Sequence, residues 1–198
     1  MAEDWADKIG EALEKKLEEV RENLKTLNSK RREINREFLK ALWKIHQKFL
    51  EVGAHMVMDP PPVEWGIATP QSDEIKLRDD IDFARFSSIM LIDRTQDLGA
   101  LGDALVLRHT MEGDTPMVEV LFRLYEAEKY YKYEGWKKVY SQFLVKKTPL
   151  AEAKLDEIQE ALTEPIVKWF EAHIRKDRSI FVDYISSNFQ QLEAKMVE

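Results

Sequence analysis

The sequence predicts an α+β fold, in which a long N-terminal helix precedes a small antiparallel sheet and C-terminal helices. Three observations support this class. Apolar residues recur in steps of three and four from Ile9 to Val52, with no proline between them. Alternating apolar residues and turn signals fill the middle of the chain, and helical spacing returns after Pro149. Because strands and helices do not alternate along the chain, a parallel sheet is not expected.

The chain divides at residues that cannot continue a preceding element. Asp59-Pro60-Pro61-Pro62 cannot extend a helix and holds the chain extended. We therefore expect a long N-terminal helix over 1–56, a β-rich middle region over 57–148 and a C-terminal helical segment over 149–198. With 198 residues the chain can bury a sizeable core, so the three parts are expected to form one composite domain.

The first helix carries a seam typical of coiled coils. From Leu17 to Phe38 the apolar steps alternate between three and four, and Arg31 takes the place of one apolar residue. An extra step of four before Leu42 interrupts the heptad. A helix of roughly 66 Å outruns the core that this chain can build, so we expect part of it to pair with another helix. The residues predicted to bind a protein partner are Leu17, Leu24, Leu27, Arg31, Ile34, Phe38, Leu42 and Phe49.

The same apolar surface has a second interpretation, in which the C-terminal helices fold back on the first helix within one subunit. Both regions are rich in aromatic residues, which either interpretation would bury. These residues are Trp5, Trp43, Phe49, Trp169, Phe170, Phe181 and Phe189.

Short strands are predicted in the middle region. Alternation favours a strand over 63–67, and the apolar run 88–92 favours a buried strand. Residues 104–111 and 118–124 are expected to pair as a hairpin around the turn residues 112–116.

A second hairpin is predicted around Glu134-Gly135, with one arm ending at Tyr133 and the other running over 136–145. A helix within 117–144 is the main alternative, because several apolar residues there also fit helical spacing. Beyond it, Thr148 and Pro149 have the residue types of a helix cap and first turn.

The C-terminal segment is predicted to be helical throughout. An apolar stripe runs over 150–162, and Pro165 is expected to kink or restart the helix. A further amphipathic helix is predicted over 181–196.

Composition excludes several classes of function. The chain has a net charge of −7 and no cysteine, which rules out disulfides and thiolate metal sites. No apolar run reaches the roughly 18 residues of a membrane span. We expect a soluble cytoplasmic protein without a membrane segment, a bound metal or a cofactor.

The stretch 129–147 combines six lysines with six aromatic residues, a composition that suits single-stranded nucleic acid. An ordinary hairpin with inward aromatic residues and edge lysines has the same composition. A basic stripe on the first helix, over 36–48, would extend such a surface. The residues of this alternative nucleic-acid site are Lys129, Tyr131, Lys132, Tyr133, Trp136, Lys137 and Lys138.

A second alternative is a metal-dependent phosphohydrolase centred on Asp93, which directly follows an apolar run. Asp97 or Asp79 would supply a further carboxylate to a cation. An aspartate that closes a strand is also an ordinary turn residue, and Thr95 stands where a dehalogenase-type motif has a second aspartate.

The function predicted first is therefore non-catalytic. We expect an assembly, adaptor or chaperone-like scaffold protein, not an enzyme, that acts through helical protein contacts. The simplest assembly is a homodimer, with another protein as a further partner and nucleic acid as the less favoured one.

Overall fold

The computed structural model describes residues 2–65, 77–95, 102–131 and 135–192, and of residues 2–4, 6, 127–131 and 135–138 it describes the backbone alone. Its helices and strands confirm the predicted α+β class. In chain order they are α1 (Ala2–Glu51), β1 (Met56–Asp59), β2 (Ser88–Asp93), β3 (Ala104–Glu112), β4 (Thr115–Tyr131), β5 (Gly135–Pro149), α2 (Leu155–Arg175), α3 (Ser179–Asn188) and β6 (Gln190–Leu192).

The described strands form one antiparallel sheet in the order β1-β2-β3-β4-β5-β6. Each strand pairs with the one before it, so the sheet is a simple meander. Leu105 of β3 lies opposite Phe122 of β4, which lies opposite Phe143 of β5. Tyr131 pairs with Gly135 at the end of the second hairpin. Both predicted hairpins are confirmed, and the helical alternative for 117–144 is wrong.

One face of the sheet carries the core. Because side chains alternate along a strand, Val118, Val120, Phe122 and Leu124 of β4 all point to this face. The second half of α1 packs there together with α2 and α3. The predicted return of the C-terminal helices to the first helix is thereby confirmed.

Aromatic rings fill the centre of this core. The ring of Trp169 in α2 lies 5.2 Å from Phe49 of α1, 5.7 Å from Phe122 of β4 and 5.4 Å from Phe181 of α3, measured between centroids. All four side chains are at most 1% exposed. One tryptophan therefore joins three elements that are far apart in the sequence.

Two predicted elements in the loops are wrong. Pro62–Trp65 is a 3-10 helix instead of a strand, and the indole of Trp65 is buried; residues 66 and 67 lie outside the described ranges. Thr148 and Pro149 do not open a helix, because β5 continues through them and α2 begins at Leu155. A proline is tolerated at a strand end, where its missing N–H interrupts no further ladder bond.

The predicted helix over 181–196 is wrong in part; residues 193–196 lie outside the described ranges. Helix α3 stops at Asn188, and Gln190–Leu192 pairs with β5 as an edge strand. The free edge of β5 presents unpaired backbone N–H and C=O groups. Residues 190–192 gain hydrogen bonds by pairing with that edge. Helix α2 runs through Pro165 as one helix from Leu155 to Arg175, so the proline does not restart it.

Candidate functional site

The first half of α1 presents an apolar surface to solvent. Its large apolar side chains are between 41% and 69% exposed, the lowest value being that of Ile9 and the highest that of Trp5. We call this set the exposed stripe; its members are Trp5, Ile9, Leu13, Leu17, Val20 and Leu24. Scattered exposed apolar residues are common on proteins, but six on one side of a helix indicate an interaction surface.

The second half of α1 corrects the predicted seam. Ile34, Phe38, Leu42 and Phe49 are at most 2% exposed and belong to the core of their own subunit. Leu27 is partly buried against that core. Of the predicted seam residues, only Leu17 and Leu24 remain exposed, because the sheet, α2 and the segment around Phe83 and Phe86 cover the rest.

Polar contacts fix the point where α1 meets the body of the protein. Arg31 Nη2 donates to the carbonyl oxygen of Phe86 at 3.1 Å, so this seam residue contacts its own chain. The buried amide of Asn35 donates to the carbonyl oxygen of Phe83 at 2.6 Å. Its Oδ1 must then accept, and it accepts from Nε2 of His109 in β3 at 2.7 Å.

This contact decides the state of His109. Nε2 carries the proton, and Nδ1 is buried without a hydrogen-bond partner in the described part of the chain. Burial and, secondly, the positive charge of Arg31 lower the pKa of His109 to about 4. The imidazole is therefore neutral near pH 7, and it serves as a packed residue between α1 and the sheet.

A groove runs between the second half of α1 and α2, and we call it the α1/α2 groove. Two adjoining depressions of about 580 and 330 Å³, both open to solvent, lie along it. Ile45, Ile166 and Phe170 are among its apolar residues, and Val167 is 56% exposed. Lysines line the α1 side, namely Lys40, Lys44 and Lys48.

Two of the groove lysines have local partners. Lys40 Nζ lies 2.7 Å from a carboxylate oxygen of Glu37, and Lys48 Nζ lies 2.8 Å from one of Glu51. Lys44 forms no ion pair with any residue that the structure describes. The groove therefore combines an apolar interior with a basic rim.

A separate pocket of about 290 Å³, lined by both polar and apolar side chains, lies at the C-terminal end of α2. His173 Nε2 lies 2.8 Å from Oδ2 of Asp93, and Oδ1 of the same carboxylate accepts from the hydroxyl of Thr95 at 2.5 Å. Burial alone would raise the pKa of Asp93, but the hydrogen bonds from His173 and Thr95 outweigh it and lower that pKa. Asp93 is therefore ionised near pH 7 and joins β2 to α2.

An ion pair between Arg178 and Asp103 closes the same pocket. Arg178, just before α3, donates to both carboxylate oxygens of Asp103 at 2.6 Å, and this contact raises the pKa of Arg178. The residue directly before Asp103 has to be a glycine. A Cβ at position 102 would lie 1.6 Å from the carbonyl oxygen of Asp93. Both carboxylates are thus engaged in holding helices to the sheet.

The described residues do not assemble the predicted phosphohydrolase site. Asp79 is an exposed residue 3.9 Å from Arg36 of α1, whereas Asp93 is paired with His173. Asp97 lies outside the described ranges. Among the residues that the structure does describe, no group of three or more histidine, aspartate or glutamate side chains is placed to hold a metal ion.

The alternative nucleic-acid site remains a prediction. The backbone of β4 and β5 forms the expected hairpin, with Lys129 opposite Lys137. The seven side chains of that site lie outside the described set, and Lys132 and Tyr133 lie outside the described ranges altogether. Of the basic stripe on α1, Arg36, Lys40 and Lys48 have acidic neighbours within 4 Å.

Comparison with known proteins assigns no relative. No protein-family model matches the chain, and neither a curated protein nor a solved structure shows significant similarity to it. None of the helices in the described part of the chain combines the length and the hydropathy that a membrane crossing requires. A proposal on function therefore depends on the surfaces of this chain.

Sequence reasoning missed the polar contacts that join the elements. Asp93 and His173, or Asp103 and Arg178, are too far apart in the chain for any spacing rule to pair them. A signal did exist for Asn35, which follows Arg31 by four residues on the apolar side of α1. A polar side chain on the apolar side of a helix needs a hydrogen-bond partner where that side is buried, which is the condition that Arg31 and Asn35 meet.

Proposed function

We propose that this protein is a non-catalytic assembly protein that self-associates through the exposed stripe of α1. The observation that carries the proposal is the exposure of six large apolar side chains along one side of a helix, five of them in steps of three or four from Ile9 to Leu24. We place the protein in the cytoplasm because a chain without cysteine suits a reducing compartment.

The free energy gained by burying apolar side chains supports a partner for the exposed stripe of α1. A helix gains most of its stability from packing an apolar face, and segments without such packing are marginal in water. Burying one large apolar side chain contributes about 1.5–3 kcal/mol. The local ion pairs that line the segment, such as Lys16–Glu19 at 3.1 Å, contribute only about 0.3–0.5 kcal/mol each. A second helix covering the stripe would therefore stabilise it far more than its own charges do.

Molar mass in solution tests the proposal. Light scattering behind size exclusion is expected to give a mass near twice the 23.3 kDa of one chain. The variant Leu13→Asp with Leu17→Asp is expected to give one chain mass, because it places two charges in the apolar contact.

The control is Lys15→Asp with Lys25→Asp, which adds two acidic residues to the opposite side of the same helix and lowers the net charge by four, against two in the test variant. This control is expected to keep the mass of the wild type. A wild-type mass of one chain at all concentrations, or equal dissociation of both variants, would overturn the proposal.

A further inference from the structure

We propose that the pocket at the C-terminal end of α2 binds a small monocarboxylate, a molecule with one carboxylate group on a compact apolar body. We call this pocket the α2 pocket; its lining includes Val52, Trp169, Phe181, Lys176 and Arg178. Its volume of about 290 Å³ is near the lower end of the range for small-molecule sites. The proposal is separate from self-association, because no described residue of the exposed stripe lines this pocket.

The carboxylates of the α2 pocket already accept hydrogen bonds from the protein. Oδ2 of Asp93 lies 2.8 Å from Nε2 of His173, and Oδ1 accepts from the hydroxyl of Thr95 at 2.5 Å. Both oxygens of Asp103 accept from Arg178 at 2.6 Å. These acidic side chains are therefore engaged within the protein and offer little to a ligand that donates hydrogen bonds.

The groups that remain without a partner are mainly donors. Arg178 uses Nε and Nη2 for Asp103 and for the carbonyl oxygen of Tyr125, which leaves Nη1 without a partner in the described part of the chain. The ammonium group of Lys176 likewise has no ion-pair or hydrogen-bond partner among the described residues. Unpartnered cationic donors favour a ligand that accepts hydrogen bonds and carries negative charge, as a carboxylate does.

The backbone of Lys176 gives a second, independent observation. This residue directly follows α2 and lies in the left-handed region, with a φ of +56°. Helices that end in this conformation usually have glycine there, because glycine has no Cβ that would be strained. The chain instead keeps a cationic side chain at this position beside the pocket. A strained residue of this kind is typical of a functional site.

The charge balance of the pocket favours a monoanion over a dianion. The negative charges of Asp93 and Asp103 cancel the positive charges of Lys176 and Arg178. The imidazole of His173 can take up one proton, which would compensate one ligand charge but not two. The negative end of the α2 dipole also opposes a dianion more strongly than a monoanion. A monocarboxylate therefore suits the pocket better than a phosphate monoester.

The apolar part of the lining sets the size of the ligand body. The rings of Trp169 and Phe181 are stacked, with centroids 5.4 Å apart, and Val52 is a partly exposed apolar residue of the same lining. An apolar cavity of about 150 Å³ is large enough for benzene. A pocket of about 290 Å³ therefore has room for one ring with a carboxylate attached.

Binding of benzoate to the full chain tests the proposal. The backbone amide signals of Gly53, Thr95 and Lys176 are followed by NMR as benzoate is added. We expect saturable shifts with a Kd of about 1 mM, which is reasonable for so small a ligand. Benzamide has the same shape without the charge and is expected to bind at least about tenfold more weakly. Absence of saturable shifts, or equal affinity for benzamide, would overturn the proposal.

Variants of Lys176 test the residue that the proposal depends on most. Lys176→Gly is expected to weaken benzoate binding at least about tenfold, because it removes a charged donor. It is also expected to raise the midpoint of thermal unfolding by about 2 °C, because glycine relieves the backbone strain. Lys176→Arg keeps the charge and is expected to retain binding. Undiminished binding by Lys176→Gly would contradict the proposed site.

The matched control is Lys154→Ala, which removes a lysine from the other end of α2, where its side chain is 66% exposed. This control is expected to bind benzoate as the wild type does, and an equal loss in both variants would overturn the assignment to the α2 pocket. Tighter binding of phenyl phosphate than of benzoate would overturn the choice of a monocarboxylate. The light-scattering experiment decides self-association separately, so the two proposals can fail independently.

Discussion

The two halves of α1 follow the same apolar spacing, but the apolar side chains of the first half are exposed and those of the second half are buried. Leu13 in the first half is 65% exposed, whereas Leu42 in the second half is 1% exposed. Both positions belong to the same apolar side of the predicted helix. The comparison teaches that periodicity identifies the apolar side of a helix, but the availability of a covering surface decides whether that side is buried.

The cover of the second half comes from distant parts of the chain. Phe49 contacts the rings of Trp169, Phe170 and His173 of α2 at centroid distances between 5.2 and 5.3 Å. The first half has no such neighbours among the described residues. The difference between the halves therefore arises from where α2 and the sheet end.

The largest effect expected from this comparison is on stability. Leu42→Ala removes a buried side chain and leaves a cavity, which is expected to lower the free energy of unfolding by about 2–5 kcal/mol. Leu13→Ala changes an exposed position and is expected to alter that free energy by less than about 0.5 kcal/mol in the monomer. Urea unfolding at low protein concentration measures both, and equal losses would contradict the comparison.

Lowering the pH is expected to destabilise the contact between the second half of α1 and the sheet, where His109 lies. The pKa of His109 is lowered from 6.5 to about 4 in the folded protein, so below pH 6.5 the unfolded state binds a proton that the folded state does not. Stability is therefore present above that pH and falls as the pH decreases. The expected loss from this residue between pH 7 and pH 5 is about 2 kcal/mol.

The matched control for this prediction is His109→Gln, which keeps an N–H donor for Asn35 and removes the titration. The free energy of unfolding of this variant is expected to depend less on pH between 7 and 5, whatever its absolute stability. An unchanged dependence would show that His109 is not the group that titrates.

The smallest expected effects concern two glycines, one within α1 and one just after it. No heavy atom lies within 4 Å of the position that a Cβ on Gly10 would occupy, so Gly10→Ala is expected to stabilise the helix by about 0.5–1 kcal/mol. Gly53 has a φ of +79°, so Gly53→Ala is expected to destabilise the protein by about 1 kcal/mol. Circular dichroism during thermal unfolding measures both, and the same sign for the two would contradict this prediction.

Much of the fold could be predicted because short-range sequence patterns determine α1 and the two hairpins. The turn residues around Gly113 and Gly135 placed both hairpins, and the apolar spacing placed α1. The errors fall where a tertiary contact outweighs local preference. Pro149 is typical of a helix start but ends a strand opposite Met117, and Leu192 fits helical spacing but joins the edge of β5.

The candidate surfaces were predictable only in part. The stripe follows from spacing, and Leu17 and Leu24 were among the predicted partner-binding residues. The groove could not be predicted, because its second wall comes from α2, more than a hundred residues further along the chain. The polar contacts of Asn35 and Asp93 also join distant segments, for which a single sequence contains no pairing signal.

The sequence by itself determined the classes of most elements, the apolar side of α1 and the division of its charge into an acidic and a basic half. These properties depend on neighbouring residues, because helical and strand periodicities repeat within a few positions. Only the tertiary structure decided which half of α1 is covered. Burial depends on which surfaces meet after folding, and here α2 and the sheet reach the second half of the helix and leave the first half exposed.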